Sequence, residues 1–191
     1  MNPKVARNLE DHLRAVQAVA ADPSKIEAVA GALSKVALAG GRILVCGNGG
    51  SASDAQHIAG ELVGRFKKER RAIAAVALNT DTAVLTCLGN DYGYDTVFAR
   101  QVEALGRKGD ALVAISTSGN SANVLNAAKK AKEAGLSVIG FLGGSGGRLL
   151  ELCDLAFVSP SADTPRIQEM HILAAHIVCE LVEDAVAAAG R

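Results

Sequence analysis

Short apolar runs closed by glycine or serine alternate along this chain with longer stretches in which apolar residues recur every three or four positions. The short runs are RILVCG (Arg42 to Gly47), AIAAVAL (Ala72 to Leu78), ALVAIS (Ala111 to Ser116), SVIGFL (Ser137 to Leu142) and LAFVS (Leu155 to Ser159). Each has the length and composition of a strand buried on both faces. Between them the helical rhythm predicts helices over about Ser51 to Arg65, Asp95 to Leu105 and Ala122 to Ala134, with a short one in DTAVLTCLG. A long final helix is expected from Pro165 to Ala188, its proline in the first turn. Two more helices, Lys4 to Ala20 and Ser24 to Leu38, precede the first strand.

Strands alternating with helices predict an α/β fold: a doubly wound, mostly parallel, five-stranded sheet flanked by helices, with an N-terminal helical pair. No low-complexity linker or composition break interrupts the pattern. Residues 1–191 are therefore expected to form one domain, with residues 1–40 packing on it or on a partner subunit.

Composition narrows the function classes. The chain is 49% apolar and only 3% aromatic, and its twenty basic and twenty acidic residues cancel. Nucleic acid usually demands a positive excess, so it is not an expected ligand. The one basic run, RFKKERR (Arg65 to Arg71), reads as a solvated loop. The N-terminal MNPKVARNLEDHLRAV has acids and no apolar core, unlike a signal peptide. No apolar run approaches the roughly 20 residues that span a bilayer, so no membrane contact is expected. Cys46, Cys87, Cys153 and Cys179 show no CxxC spacing, which suits reduced thiols in a cytoplasmic protein.

In doubly wound sheets ligands sit beyond the carboxyl ends of the strands. Those loops here carry NGGS (Asn48 to Ser51), STSGNS (Ser116 to Ser121) and GGSGG (Gly143 to Gly147). Several hydroxyls and free backbone N–H groups at a helix N-terminus can hold a phosphate without a lysine. One helix cap needs fewer hydroxyls than STSGNS supplies. The loop matches neither a P-loop nor GxGxxG, so a nucleotide cofactor is disfavoured.

The blocks GNGGSASDAQHIAGEL, LGNDYGYDTVFARQVEALGRKGD, ISTSGNSANV and RIQEMHILAAHIVCELVE follow one another through most of the chain. Together they resemble the phosphoheptose isomerase family, a branch of the sugar-isomerase (SIS) fold. The resemblance implies an aldose–ketose isomerase acting on sedoheptulose 7-phosphate. It implies substrate contacts at Asn48, Gly49, Gly50, Ser51, Glu61, Asn90, Asp91, Ser116, Thr117, Ser118, Ser121 and Gln168. A divalent metal, zinc in most members, is implied at His57, Glu61, Gln168 and His176, one ion per subunit. Glu61 and His176 match the family's acid–base pair. The family is a cytoplasmic homotetramer with sites formed between subunits, and its product feeds heptose units of lipopolysaccharide.

Helix geometry supports the same residues independently. His57 and Glu61 stand at i and i+4 on one face. Gln168 and His176 fall about 80° apart around the last helix, whereas His171 lies about 140° from His176 and reads as a core histidine. His12 lacks such company and is expected on the surface or at a helix contact. Asp54 is a candidate to orient His57 or a helix-dipole residue, and Asp163 a loop residue near the site or a cap.

Two rivals belong to other classes. A non-enzymatic relative that associates with the bacterial replication initiator shares the NTD, STxGNS and RIQEMH patterns, but lacks the metal and acid–base residues present here. A sugar-phosphate-sensing transcription regulator would carry an added basic DNA-binding segment, and only about 40 residues precede the first strand here.

Overall fold

The structure is a computed structural model in which residues 1–190 are described. Five strands form an all-parallel sheet in the order β2-β1-β3-β4-β5: β1 (Ile43–Gly47), β2 (Ala75–Ala77), β3 (Ala111–Ser116), β4 (Ser137–Leu142) and β5 (Leu155–Val158). The helices are α1 (Pro3–Ala21), α2 (Ser24–Leu38), α3 (Gly50–Val63), α4 (Thr82–Tyr92), α5 (Val97–Leu105), α6 (Ala122–Glu133) and α7 (Thr164–Ala189). The doubly wound α/β expectation holds, and the sheet is wholly parallel.

Because side chains alternate across a strand, each strand feeds two cores. Ile43, Val45, Val113, Ile115, Ile139 and Phe141 face one side, where α1, α2, α3 and α7 cover them. Leu44, Cys46, Leu112, Ala114, Val138 and Leu142 face the other, under α5 and α6. The apolar runs of β1, β3 and β4 look continuous because both faces of these strands are dry.

The second strand differs from expectation. The apolar run predicts a strand over Ala72 to Leu78, yet only Ala75–Ala77 pair. β2 is the sheet edge and has one neighbour. Upstream of it, the Ile73 N–H turns to the carbonyl of Leu62. A 3-10 turn over Gly147–Leu152, for which the periodicity offers no signal, fills the connection from β4 to β5.

The strand order places a switch point between β1 and β3. From β1 the chain winds toward β2, and from β3 it winds the opposite way, so the loops after these two strands part and leave a crevice. That crevice positions the site.

Candidate active site

Asn48 leaves β1 at the crevice and is held there by a reciprocal amide pair. Its Nδ2 donates to Asn123 Oδ1 at 2.8 Å, and Asn123 Nδ2 donates back to Asn48 Oδ1 at 2.9 Å. Asn123 is buried in the first turn of α6. Sequence reasoning passed over it; its signal was an asparagine in an otherwise apolar helix face. Gly49 has φ 57°, a left-handed backbone that favours glycine. Gly50 begins α3, and a Cβ there would stand 2.3 Å from Gln168 Nε2. The missing side chain lets α7 bring Gln168 against the N-terminus of α3. Ser51 is buried beneath this turn.

The serine loop follows β3. Ser116 Oγ lies 3.2 Å from Ser121 Oγ and 3.5 Å from Ser118 Oγ, and it accepts from the Gly119 N–H at 3.1 Å. Ser121 is the N-cap residue of α6 but makes no side-chain cap bond. Its hydroxyl therefore remains within the cluster instead of being spent on the helix end. Thr117 and Ser118 line a groove of about 320 Å³ with Gly143, Gly144, Ser145 and Ile167. A larger apolar groove, between β2, α4 and α5, carries none of the candidate residues.

The third group joins α3 to α7. His57 Nε2 is 2.9 Å from His176 Nε2 and 3.2 Å from Glu61 Oε1, and these three side chains form a candidate metal cluster. The donor set fits a divalent ion that favours nitrogen and oxygen. Ligands around a tetrahedral zinc stand about 3.4 Å apart, so the two His57 contacts need only lengthen slightly to admit such an ion. The Phe66 ring packs on His176, with centroids 5.6 Å apart. Gln168, two turns earlier on α7, rests on Gly50.

Other expected residues sort differently. Asn90 and Asp91 are exposed near the end of α4, where Asn90 Nδ2 donates to Asp91 Oδ1 at 2.7 Å. No hydrogen bond joins either to the other candidate residues. Asp54 makes no hydrogen bond to His57, and its Oδ2 is buried without a partner. Burial raises its carboxyl above the usual value, and the nearby His57 only partly offsets this. The orienting role considered for Asp54 is not what the geometry supplies. His171 is buried, bonds the Leu142 carbonyl through Nε2 at 2.9 Å and stands edge-on to Phe141 and Phe157, as a core histidine should. Burial moves it below the ordinary imidazole value. His12 meets Glu169 of α7 at 2.7 Å, a helix contact. Asp163 is the N-cap residue of α7 without a side-chain cap bond.

Comparison with known proteins agrees with this geometry. The SIS domain family model matches residues 7–143. A phosphoheptose isomerase of Rhodospirillum rubrum is 52% identical over 187 residues, covering 93% of this chain and 99% of its own length. The solved phosphoheptose isomerase of Neisseria gonorrhoeae is 44% identical, with a TM-score of 0.89 over 95% of this chain and 97% of that one. That of Francisella tularensis is 38% identical, with a TM-score of 0.92 over the same shares. With the SIS model spanning most of it and whole-length relatives this similar, the chain belongs to the phosphoheptose isomerase family of SIS-domain proteins.

Proposed function

We propose that the chain isomerises sedoheptulose 7-phosphate to D-glycero-D-manno-heptose 7-phosphate, the entry into heptose biosynthesis for lipopolysaccharide. The observation that carries this reading is the His57–Glu61–His176 cluster midway along α7, with the hydroxyl loop lining a groove at that helix's N-terminal end. Ketose-to-aldose conversion moves one proton between neighbouring carbons through an enediol. Of Glu61 and His176, one takes the proton from the carbon beside the ketone, and the other gives a proton to the carbonyl oxygen. The enediol collapses by the reverse pair of transfers at the adjacent atoms, so no electron acceptor is needed. Glu61 presents only Oε1 to His57, which leaves its second oxygen for proton transfer.

Ser116, Thr117, Ser118 and Ser121 hold the phosphate, with Asn48, Gly49, Gly50 and Ser51 along the sugar. His57, Glu61 and His176, with the Gln168 amide, would hold zinc, one ion per chain. Zinc bound there supplies a Lewis acid for the sugar oxygens. The initiator-associated alternative gains nothing from the relatives above, which are named as isomerases. The test is incubation of the purified protein with sedoheptulose 7-phosphate and detection of an aldoheptose phosphate. No conversion with zinc supplied would overturn the reading.

Residues 1–191 work as one domain within a homotetramer whose sites form between subunits. Two features support assembly. Val5, Leu9 and Leu13 make an exposed apolar stripe along α1, 50%, 55% and 58% accessible. Asn90 and Asp91 stand exposed and unjoined to the rest of the site, available to a second subunit. Light scattering at micromolar concentration should therefore give about four times the chain mass; a monomer would end this idea. The four free cysteines suit a reducing cytoplasm, and no described helix is long and apolar enough to cross a membrane.

A further inference from the structure

The basic run after α3 is solvated over most of its length, but it is tied to α7 and one of its arginine side chains is buried. Lys67 pairs with Glu180 at 2.9 Å and Lys68 with Asp184 at 2.7 Å, both acids lying on α7. Between them, Glu183 is wholly buried, and its carboxylate accepts the backbone N–H groups of Phe66, Lys67 and Lys68 at 2.8, 2.6 and 2.7 Å. Arg70 Nε stands 3.4 Å from the same carboxylate, and both side chains are only 1% exposed. Burial pushes the Glu183 carboxyl upward, but the three N–H groups and the Arg70 charge outweigh it and leave it below the ordinary value.

The guanidinium has a second task. An α-helix leaves its last carbonyls without partners, and α3 ends just beyond Glu61. Arg70 Nη2 donates to the Glu61 carbonyl and Nη1 to that of Gly64, each at 2.8 Å. The Leu62 carbonyl between them is taken by the Ile73 N–H. One arginine thus caps the helix that carries His57 and Glu61, while its charge is neutralised by the helix that carries His176. Glu183 lies seven residues beyond His176, about 20° around the same face of α7. Phe66, whose N–H Glu183 fixes, is also the ring packed on His176.

We propose that Arg70 and Glu183 form a positioning pair for the His57–Glu61–His176 cluster, locking α3 against α7 so that the three donors stay at ligand spacing. Neither touches the donors themselves. A buried ion pair is weak evidence for stability on its own, since desolvation offsets much of the attraction. What this pair offers is geometry: two charged groups satisfying six backbone hydrogen bonds, three to Glu183 and three from Arg70, that tie the end of α3 to α7. Groups that orient metal ligands at one remove typically alter affinity or activity 10–100-fold when changed.

The test compares full-length wild type, Glu183→Gln and Arg70→Lys. Glutamine keeps the size but turns an NH2 group toward backbone donors, and lysine keeps the charge but cannot bridge both carbonyls. Steady-state kinetics on sedoheptulose 7-phosphate, zinc affinity by competition with a chromogenic chelator, and melting temperature are measured on each. Expected are a 10–100-fold rise in the zinc dissociation constant and a fall of similar size in kcat, with KM within about threefold because the serine loop is untouched. A lowered melting temperature with zinc affinity and kcat of the folded protein unchanged would reduce the pair to a structural tie and overturn the proposal. Should Glu183→Gln fail to fold, Arg70→Lys decides by the same two readouts. The turnover effect rests on the isomerase reading of the cluster; the zinc effect does not. A wild type that binds zinc but makes no aldoheptose phosphate, with both variants binding zinc more weakly, sinks the isomerase reading and upholds the positioning pair.

Discussion

Glu61→Gln lowers turnover by about 10²–10⁴-fold, the range typical of a lost general acid or base, while affinity for the phosphosugar changes far less. The substitution keeps shape and leaves an oxygen able to face His57 across the present 3.2 Å. It removes the basic carboxylate. The proposed phosphate loop follows β3, on a different element, so binding is expected to be spared. A loss of kcat without a matching rise in KM is the signature of an interaction needed only in the reaction. A purely metal-holding role makes a different forecast: the glutamine variant would lose zinc or thermal stability together with activity. Measuring turnover, substrate affinity and bound zinc on the same samples, with His57→Ala as the metal-deficient control, separates the two. A glutamine variant that turns over near the wild-type rate removes Glu61 from the proton-transfer step.

The central part of the fold was legible because its signals are local. β3 and β4 match their apolar runs residue for residue, and α2 spans Ser24–Leu38 as its periodicity predicts. β2 is shorter than its apolar run because an edge strand pairs on one side only, and Ala72, Ala74 and Val76 stand exposed. His57 and Glu61 could be joined in advance because four residues make one helical turn, and His171 could be set aside by the same angle.

What stayed hidden depends on contacts between residues far apart in the chain. Nothing within RFKKERR distinguishes Arg70, buried against Glu183, from Arg65, exposed nearby. Glu180, Glu183 and Asp184 read as an ordinary charged helix face until α7 is laid against α3. Asp54 shows the converse, since it lies one helical turn from His57 and yet makes no hydrogen bond to it. Spacing shows which residues share a face; it does not show which side chain the packing aims at which atom. Asn123 illustrates the same limit, since its value lies in the amide of Asn48, 75 residues away.

Replacing Ser116 and Ser118 together with alanine weakens phosphosugar binding by about a hundredfold. Each hydroxyl offers a neutral donor to a dianion, and a hydrogen bond to a charged group contributes about 1.5–3 kcal/mol. Two of them, discounted because neighbouring groups do not add fully, leave about 2.7 kcal/mol, which corresponds to that factor. The fold should tolerate the change. Ser118 is exposed, and Ser121, the N-cap residue of α6, makes no cap bond that the substitutions would remove. The Gly119 N–H does lose its contact with Ser116 Oγ, but it also reaches the Ser116 carbonyl at 3.3 Å, which the alanine backbone retains. Gly119 itself is fixed by packing, because a Cβ there would stand 1.9 Å from the Gly146 carbonyl oxygen. The Asn120 N–H loses Ser118 Oγ as well, but Asn120 Nδ2 still donates to the Ser118 carbonyl at 2.9 Å, so the loop keeps its path while losing two donors. Titration calorimetry with sedoheptulose 7-phosphate reads the affinity, and inorganic phosphate as a second ligand isolates the loop from the sugar contacts. Equal proportional losses for both ligands place the effect on the phosphate; unchanged affinity for both would return these serines to a structural part in the turn.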